Sequence, residues 1–196
     1  MIPRHLQITI ALLLGGILVS GIYIIHLTHK EEAKNLLGME ANPVAPPVSG
    51  KPESIPVLVA YDEDRALRWR QANATLPPER TQRARQVLRT IMAEYLGRPS
   101  PHILGKGADI KDVYLLNDDT VVVNTTAEFA DAHPSGILQE ELTLCSLIET
   151  LSANVPGIAR VKFLVDGHER ETLAGHADLM SFYQISAVHD LSKEFE

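Results

Sequence analysis

The distribution of apolar positions changes character twice along the chain. Residues 6–27 read LQITIALLLGGILVSGIYIIHL and carry no formally charged side chain. A helix of that length spans ~33 Å and matches a hydrocarbon core of ~30 Å. Over residues 30–54 the periodicity disappears. Pro43, Pro46, Pro47 and Pro52 lie close together there with Gly50 among them. Such a stretch is extended and partly polyproline-like, and it cannot bury a core. From residue 55 onward, alternating helical and strand patterns take over.

Ile55-Pro56-Val57-Leu58-Val59-Ala60-Tyr61 is a β-branched apolar run closed by Asp62-Glu63-Asp64 and predicts a strand, with Pro56 near its start or on an edge. Residues 66–74 fit neither period. Pro77-Pro78-Glu79, with Thr75 as a cap, opens a helix. Ala84, Val87, Leu88, Ile91, Met92, Tyr95 and Leu96 then recur at helical spacing until Gly97 and Pro99. Asp112-Val113-Tyr114-Leu115-Leu116 and Thr120-Val121-Val122-Val123-Asn124, joined by Asn117-Asp118-Asp119, predict a hairpin. A second helix opens near Pro134-Ser135, with Glu140 and Glu141 in its early turns. Leu138, Leu142, Cys145 and Ile148 mark one face, widened by Leu144, Leu147 and Leu151, and the helix stops before Pro156-Gly157. Val161-Lys162-Phe163-Leu164-Val165 is the last clear strand, and Asp166-Gly167 turns the chain toward a short return strand ending by Leu173.

The expected architecture is α+β: a small mixed sheet with two helices packed on one face, in β-α-β-β-α-β order, preceded by one transmembrane helix. The expected organisation is a cytoplasmic tail (1–5), an anchor (6–27), a Pro-rich tether (28–54), a folded domain (55–183) and a C-terminal tail (184–196). Arg4 and the amino terminus precede the apolar segment, whereas Lys30 and Lys34 follow it. The cationic tail points to a domain on the extracytoplasmic side. The rival reading is a cleaved signal peptide with Val19-Ser20-Gly21 as its processing pattern. The apolar run is longer than the roughly 7–15 residues such a peptide uses, which favours an uncleaved anchor.

A net charge of −7 argues against nucleic acid as a general partner. Cys145 is the only cysteine. It excludes an intramolecular disulfide and a multi-cysteine metal site, and no cysteine near the apolar segment is available for lipid attachment.

Candidate chemistry is sparse. Asp166, His168, Glu169, His176 and Asp178 are metal-ligating types, but Asp166-Gly167 is already explained as a turn and no helical His-x-x-x-His pair is present. Asp131, His133 and Ser135 are the types of a nucleophilic triad, although helix capping accounts for Asp131 and Ser135. Cys145 sits on an apolar helical face as a buried thiol would. Arg80, Arg83, Arg85 and Arg89 on the first helix are the candidate partner surface, for an acidic protein, anionic lipid or wall polymer. The bland reading of that face is a solvated helix surface.

In order and spacing these pieces resemble the GerM domain, a module of sporulation and germination proteins found in bacterial envelopes. The resemblance rests on Val57-Leu58-Val59-Ala60-Tyr61, Tyr95-Leu96-Gly97-Arg98-Pro99, Val121-Val122-Val123-Asn124-Thr125-Thr126-Ala127-Glu128-Phe129, Val155-Pro156-Gly157-Ile158 and Val161-Lys162-Phe163-Leu164-Val165-Asp166-Gly167. The family often carries aspartate where Asn124 stands. The resemblance implies an envelope assembly module with no established catalytic residues, no cofactor, other envelope proteins as partners, and room for self-association. The expected protein is therefore a single-pass protein of the bacterial cytoplasmic membrane that binds rather than catalyses. The alternative is an envelope module binding a ligand or cell-wall polymer, for which Trp69 as the only tryptophan is a poor supply of stacking surface. A metal-dependent or serine-type enzyme is the least supported.

Overall fold

The computed structural model of the chain describes residues 50–196. The predicted anchor at 6–27 and nearly all of the tether lie outside the described residues. Among the described residues no helix is long and apolar enough to cross a membrane.

The domain begins earlier than its apolar pattern does. Strand β1 runs Lys51–Tyr61 and pairs antiparallel with β2, Ala66–Leu76, from Lys51↔Leu76 to Tyr61↔Ala66. Lys51 to Ser54 therefore belong to the hairpin and not to the tether, because ladder bonds need no apolar side chain. Arg65, at φ 53°, tightens the turn between the strands. β2 is invisible as an alternation because Arg68, Trp69, Arg70 and Gln71 are all exposed.

The second edge of β1 is closed by side chains. The Leu58 amide donates to Thr150 Oγ1 at 2.9 Å and the Ala60 amide donates to Tyr95 Oη at 2.9 Å. Asn154 Nδ2 donates to the Pro56 carbonyl at 2.7 Å. These groups sit two residues apart, as the outward-pointing groups of an antiparallel strand must. Pro56 fits there because its outward position requires no donor. Thr150→Val keeps the side-chain shape but strands the Leu58 amide. We expect it to cost ~1–3 kcal/mol, read by urea unfolding.

Helix α1, Arg80–Leu96, buries Ala84, Val87, Leu88, Ile91, Met92 and Tyr95, the stripe its spacing predicts; only Leu96 is exposed. Its cap is Glu79, whose carboxylate accepts from the Thr81 and Gln82 amides at 2.8 and 2.7 Å, and not Thr75. Strands β3, Ile110–Leu116, and β4, Thr120–Thr125, form the predicted hairpin. Asn117 and Asp118, with φ 52° and 61°, provide its left-handed turn. A short helix, α2, Ala127–Asp131, then buries Phe129 and Ala130.

Helix α3, Ile137–Asn154, carries the chain across to β5, Arg160–Val165, which lies parallel to β4. Its cover is broader than one apolar face: Glu140, Thr143, Ser146, Glu149, Thr150 and Asn154 are buried along with the leucines. Asp166 (φ 51°) and Gly167 (φ 78°) make the expected turn. The Gly167 amide donates to Asn124 Oδ1 at 2.7 Å, an acceptor that an aspartate would supply equally.

The predicted return strand through Leu173 is reduced to isolated bridges, Val165↔His168 and Thr172↔Asp178. The sheet is completed instead by β6, Tyr183–Gln184, antiparallel to β5. Helix α4, Ile185–Ser192, and a 3-10 turn at Lys193–Phe195 follow. Val188 and Ser192 are buried, and Leu191 and Phe195 pack on the core, so residues 184–196 belong to the domain and are no tail.

The α+β class is as expected, but the single sheet is not. The strands form two sheets, the hairpin β1-β2 and a four-stranded β3-β4-β5-β6 sheet. α1 packs against both, while α3 is covered by β1, α1 and α4.

Candidate functional site

The four arginines of α1 reach different partners within the chain. Arg80 Nη2 donates to the Pro156 carbonyl at 2.7 Å. Arg83 forks onto Glu53 at 3.3 and 2.7 Å and reaches the Asn154 carbonyl at 3.3 Å. Arg85 lies 3.7 Å from Asp112. Arg89 holds Asp109 at 2.9 Å and the Ile110 carbonyl at 3.2 Å. Arg80 and Arg83 thus tie α1 to β1 and the end of α3, and Arg85 and Arg89 tie it to β3. Much of the charge foreseen as a partner surface is neutralised within the domain.

The candidate metal cluster is likewise taken apart. Asp166 pairs with Lys111 at 2.9 Å, Glu169 with Lys162 at 3.1 Å, and Asp178 Oδ1 accepts from the Met180 amide at 2.7 Å. His168 is exposed. No group of three His, Cys, Asp or Glu side chains able to hold a metal occurs among the described residues. The Asp131–His133–Ser135 triad does not assemble either: Asp131 pairs with Arg170, His133 is buried and turned to Thr143, and Ser135 is exposed.

His176 has a partner that spacing could not suggest. Its Nδ1 lies 2.9 Å from Oε1 of Glu140, a fully buried carboxylate at the start of α3. Glu140 Oε2 accepts the amides of Ala174, His176 and Ala177 at 3.0, 3.0 and 2.8 Å. Burial by itself opposes ionisation. The His176 ring and these amides outweigh it and hold the carboxyl down to about 2. Glu140 is the peg on which the loop after Leu173 hangs.

A second buried polar chain joins segments distant in sequence. Asp62 Oδ1 lies 2.6 Å from His102 Nδ1, and His102 Nε2 lies 2.6 Å from Thr143 Oγ1. His133 Nε2 approaches the same hydroxyl at 2.7 Å, and its Nδ1 donates to the Pro134 carbonyl at 2.8 Å. Burial works against the Asp62 carboxylate, yet the His102 hydrogen bond keeps its carboxyl below the usual range. Burial, with His102 beside it, lowers His133. The edge of the His102 ring meets Tyr95 at 4.8 Å.

An apolar groove of about 440 Å³ lies between α3, the 176–184 segment and α4, walled by Leu144, Ile148, Phe182, Tyr183, Val188 and Leu191. Glu141, His176 and Ala177 line both this groove and a hollow beneath exposed Ile137. Cys145 lies in the groove floor, almost fully buried; burial, then Glu141 and Glu149, push its thiol up to about 12. We expect no reaction with a thiol reagent at pH 8 until the domain is unfolded, read as the absorbance of released thiolate.

The described residues thus form a two-sheet α+β domain whose charged clusters are spent on internal ties and whose apolar groove stays open. The family of sporulation and spore germination domains known as Germane matches residues 59–171, and the chain belongs to it. Similar solved structures include the tandem GerMN domains of the Bacillus subtilis sporulation protein GerM, at 18% identity and TM-score 0.50, covering 67% of this chain and 45% of that one. The first GerMN domain alone aligns at 18% identity and TM-score 0.46, covering 66% of this chain and 94% of its own. A candidate lipoprotein of Clostridium perfringens aligns at 19% identity and TM-score 0.44, covering 72% and 92%. A search of the curated proteins returns no match.

Proposed function

We propose that the chain is a single-pass protein of the bacterial cytoplasmic membrane. In this reading its GerM-type domain stands on the extracytoplasmic side and binds other envelope proteins in sporulation- or germination-type assemblies. Family membership supports the envelope setting, and the uncharged stretch at 6–27 supports the anchor. The observation that carries the binding role is the α3–α4 groove. Exposed Phe182 lines it and exposed Ile137 lies over the adjoining hollow, and contiguous apolar surface of this kind marks contact sites. Catalysis is not part of the proposal, since Glu140, Asp166 and Glu169 are engaged with the domain's own backbone, His176 and lysines.

A photo-crosslinking side chain placed at Phe182 of the full chain in native membranes should give discrete adducts with another envelope protein. The same probe at Tyr114, exposed on β3, should not. Equal labelling at both positions would remove the groove from the proposal. Recovery of the chain in the soluble fraction, shortened at its N-terminus, would remove the anchor. The groove's concavity and its two aromatic walls favour one alternative, a small or wall-derived ligand. Saturable binding of wall fragments with no protein adduct at Phe182 would select it.

A further inference from the structure

The chain Asp62–His102–Thr143–His133–Pro134, buried at His102, Thr143 and His133 and half-buried at Asp62, contains four consecutive polar contacts, at 2.6, 2.6, 2.7 and 2.8 Å. Each needs one hydrogen between its two heavy atoms. With a carboxylate at Asp62 and both imidazoles neutral, the chain owns one hydrogen per histidine and one on the Thr143 hydroxyl, one fewer than its contacts require. Two lone pairs would then face each other at one of the contacts inside a buried site, which the low local dielectric makes costly.

We propose that this chain binds one additional proton in the folded protein and works as a pH-sensitive latch between the turn after β1, the 97–109 loop and the start of α3. With that proton the four contacts of the chain are satisfied in one direction, and only the contact from Thr143 to the Gln139 carbonyl goes without a hydrogen. His102 donates from Nδ1 to Asp62 and from Nε2 to Thr143, Thr143 donates to His133 Nε2, and His133 donates from Nδ1 to Pro134. The 2.9 Å contact from Thr143 Oγ1 to the Gln139 carbonyl gives up its hydrogen most cheaply, because that carbonyl already accepts the helical amide of Thr143.

The location follows from the surroundings. Asp62 supplies the compensating negative charge at His102, and its other oxygen accepts the Ile103 amide at 3.3 Å. His133 has a carbonyl in place of a carboxylate and the edge of the Phe129 ring at 6.3 Å. From α1 the Tyr95 hydroxyl faces the cluster while occupied with Ser146 and the Ala60 amide. From α3 the charge of Glu140 acts on His133, while its carboxylate is bound to His176. Among the described residues no lysine or arginine hydrogen-bonds to these atoms.

When the proton leaves, one hydroxyl hydrogen remains for two bare ring nitrogens, so a contact must open. The His102 loop, held to the turn also by the Asp62 amide on the Pro101 carbonyl at 3.0 Å, is the part set free from α3.

The test is ring-nitrogen NMR on the full chain labelled at histidine, with His102 assigned through its contact to Tyr95. At neutral pH we expect His102 to show both ring nitrogens protonated and His133 only one. One protonated nitrogen on His102 in the folded protein would overturn the latch. Unfolding against pH gives the second readout. Because the folded state holds the extra proton, the unfolding constant should rise up to tenfold per pH unit faster than in Thr143→Val, above the pH where unfolded histidine has lost its own. His176 and His189 pair with Glu140 and Glu149 in both proteins, so the difference in slope isolates the chain. Equal slopes would refute it even where the variant is less stable, and if the variant does not fold the NMR result decides alone.

Discussion

Replacing Glu140 with alanine lowers the stability of the domain by ~3–5 kcal/mol, as removal of one partner from a buried charged site does. The carboxylate is fully buried and accepts three backbone amides of the 174–177 segment, while facing the His176 ring at 2.9 Å. Alanine leaves these donors without an acceptor in a site too enclosed for free hydration. Equilibrium urea unfolding reads the loss. Hydrogen exchange should show the amides of Ala174, His176 and Ala177 opening well before those of β4 and β5.

The pH dependence has a definite sign. The folded-state carboxyl is held down to about 2, below its ordinary value of 4.5, so its contribution is complete above the unfolded value. It is lost as pH falls through that window toward 2. The wild-type protein should therefore lose stability more steeply there than the alanine variant. Parallel acid-unfolding curves would show that Glu140 does not carry the charge assigned to it.

Phe163→Ala costs ~3–5 kcal/mol by a different mechanism, loss of transfer energy plus the cavity left behind. Phe163 lies on β5, between β4 and β6, is 1% exposed, and meets the edge of Tyr183 at 6.2 Å. Since Tyr183 is also a wall of the α3–α4 groove, the variant loosens the groove as it weakens the core. A melting temperature lower by roughly 10 °C is the expected result. A shift within a degree or two would mean that the surroundings collapse into the space.

Elements that bury one face at a regular period were legible in the sequence. The α1 stripe and the β3–β4 hairpin stand where their spacing and turn residues put them. β2 escaped detection because its middle is exposed on both faces, and its ladder is made by backbone groups that every residue shares. On α3 the sequence marks only an apolar face, widened by Leu144, Leu147 and Leu151. In the fold, Thr143, Ser146 and Thr150 are buried because Tyr95, His102 and the Leu58 amide meet them from remote parts of the chain. The arginines and the His-carboxylate loop were legible as charges but not as pairs. Arg83 finds Glu53 and Glu140 finds the 174–177 amides only after the chain has closed. The groove also needed α4, whose residues lay beyond the recognised domain.

The occupied border of β1 gives the hairpin only one side on which it can grow. Thr150, Tyr95 and Asn154 already fill the positions a neighbouring strand would use. A guest strand could lie only along β2. Two copies joined there would each present a finished border outward, so recruitment through this ribbon ends at a pair and cannot run on into a fibre.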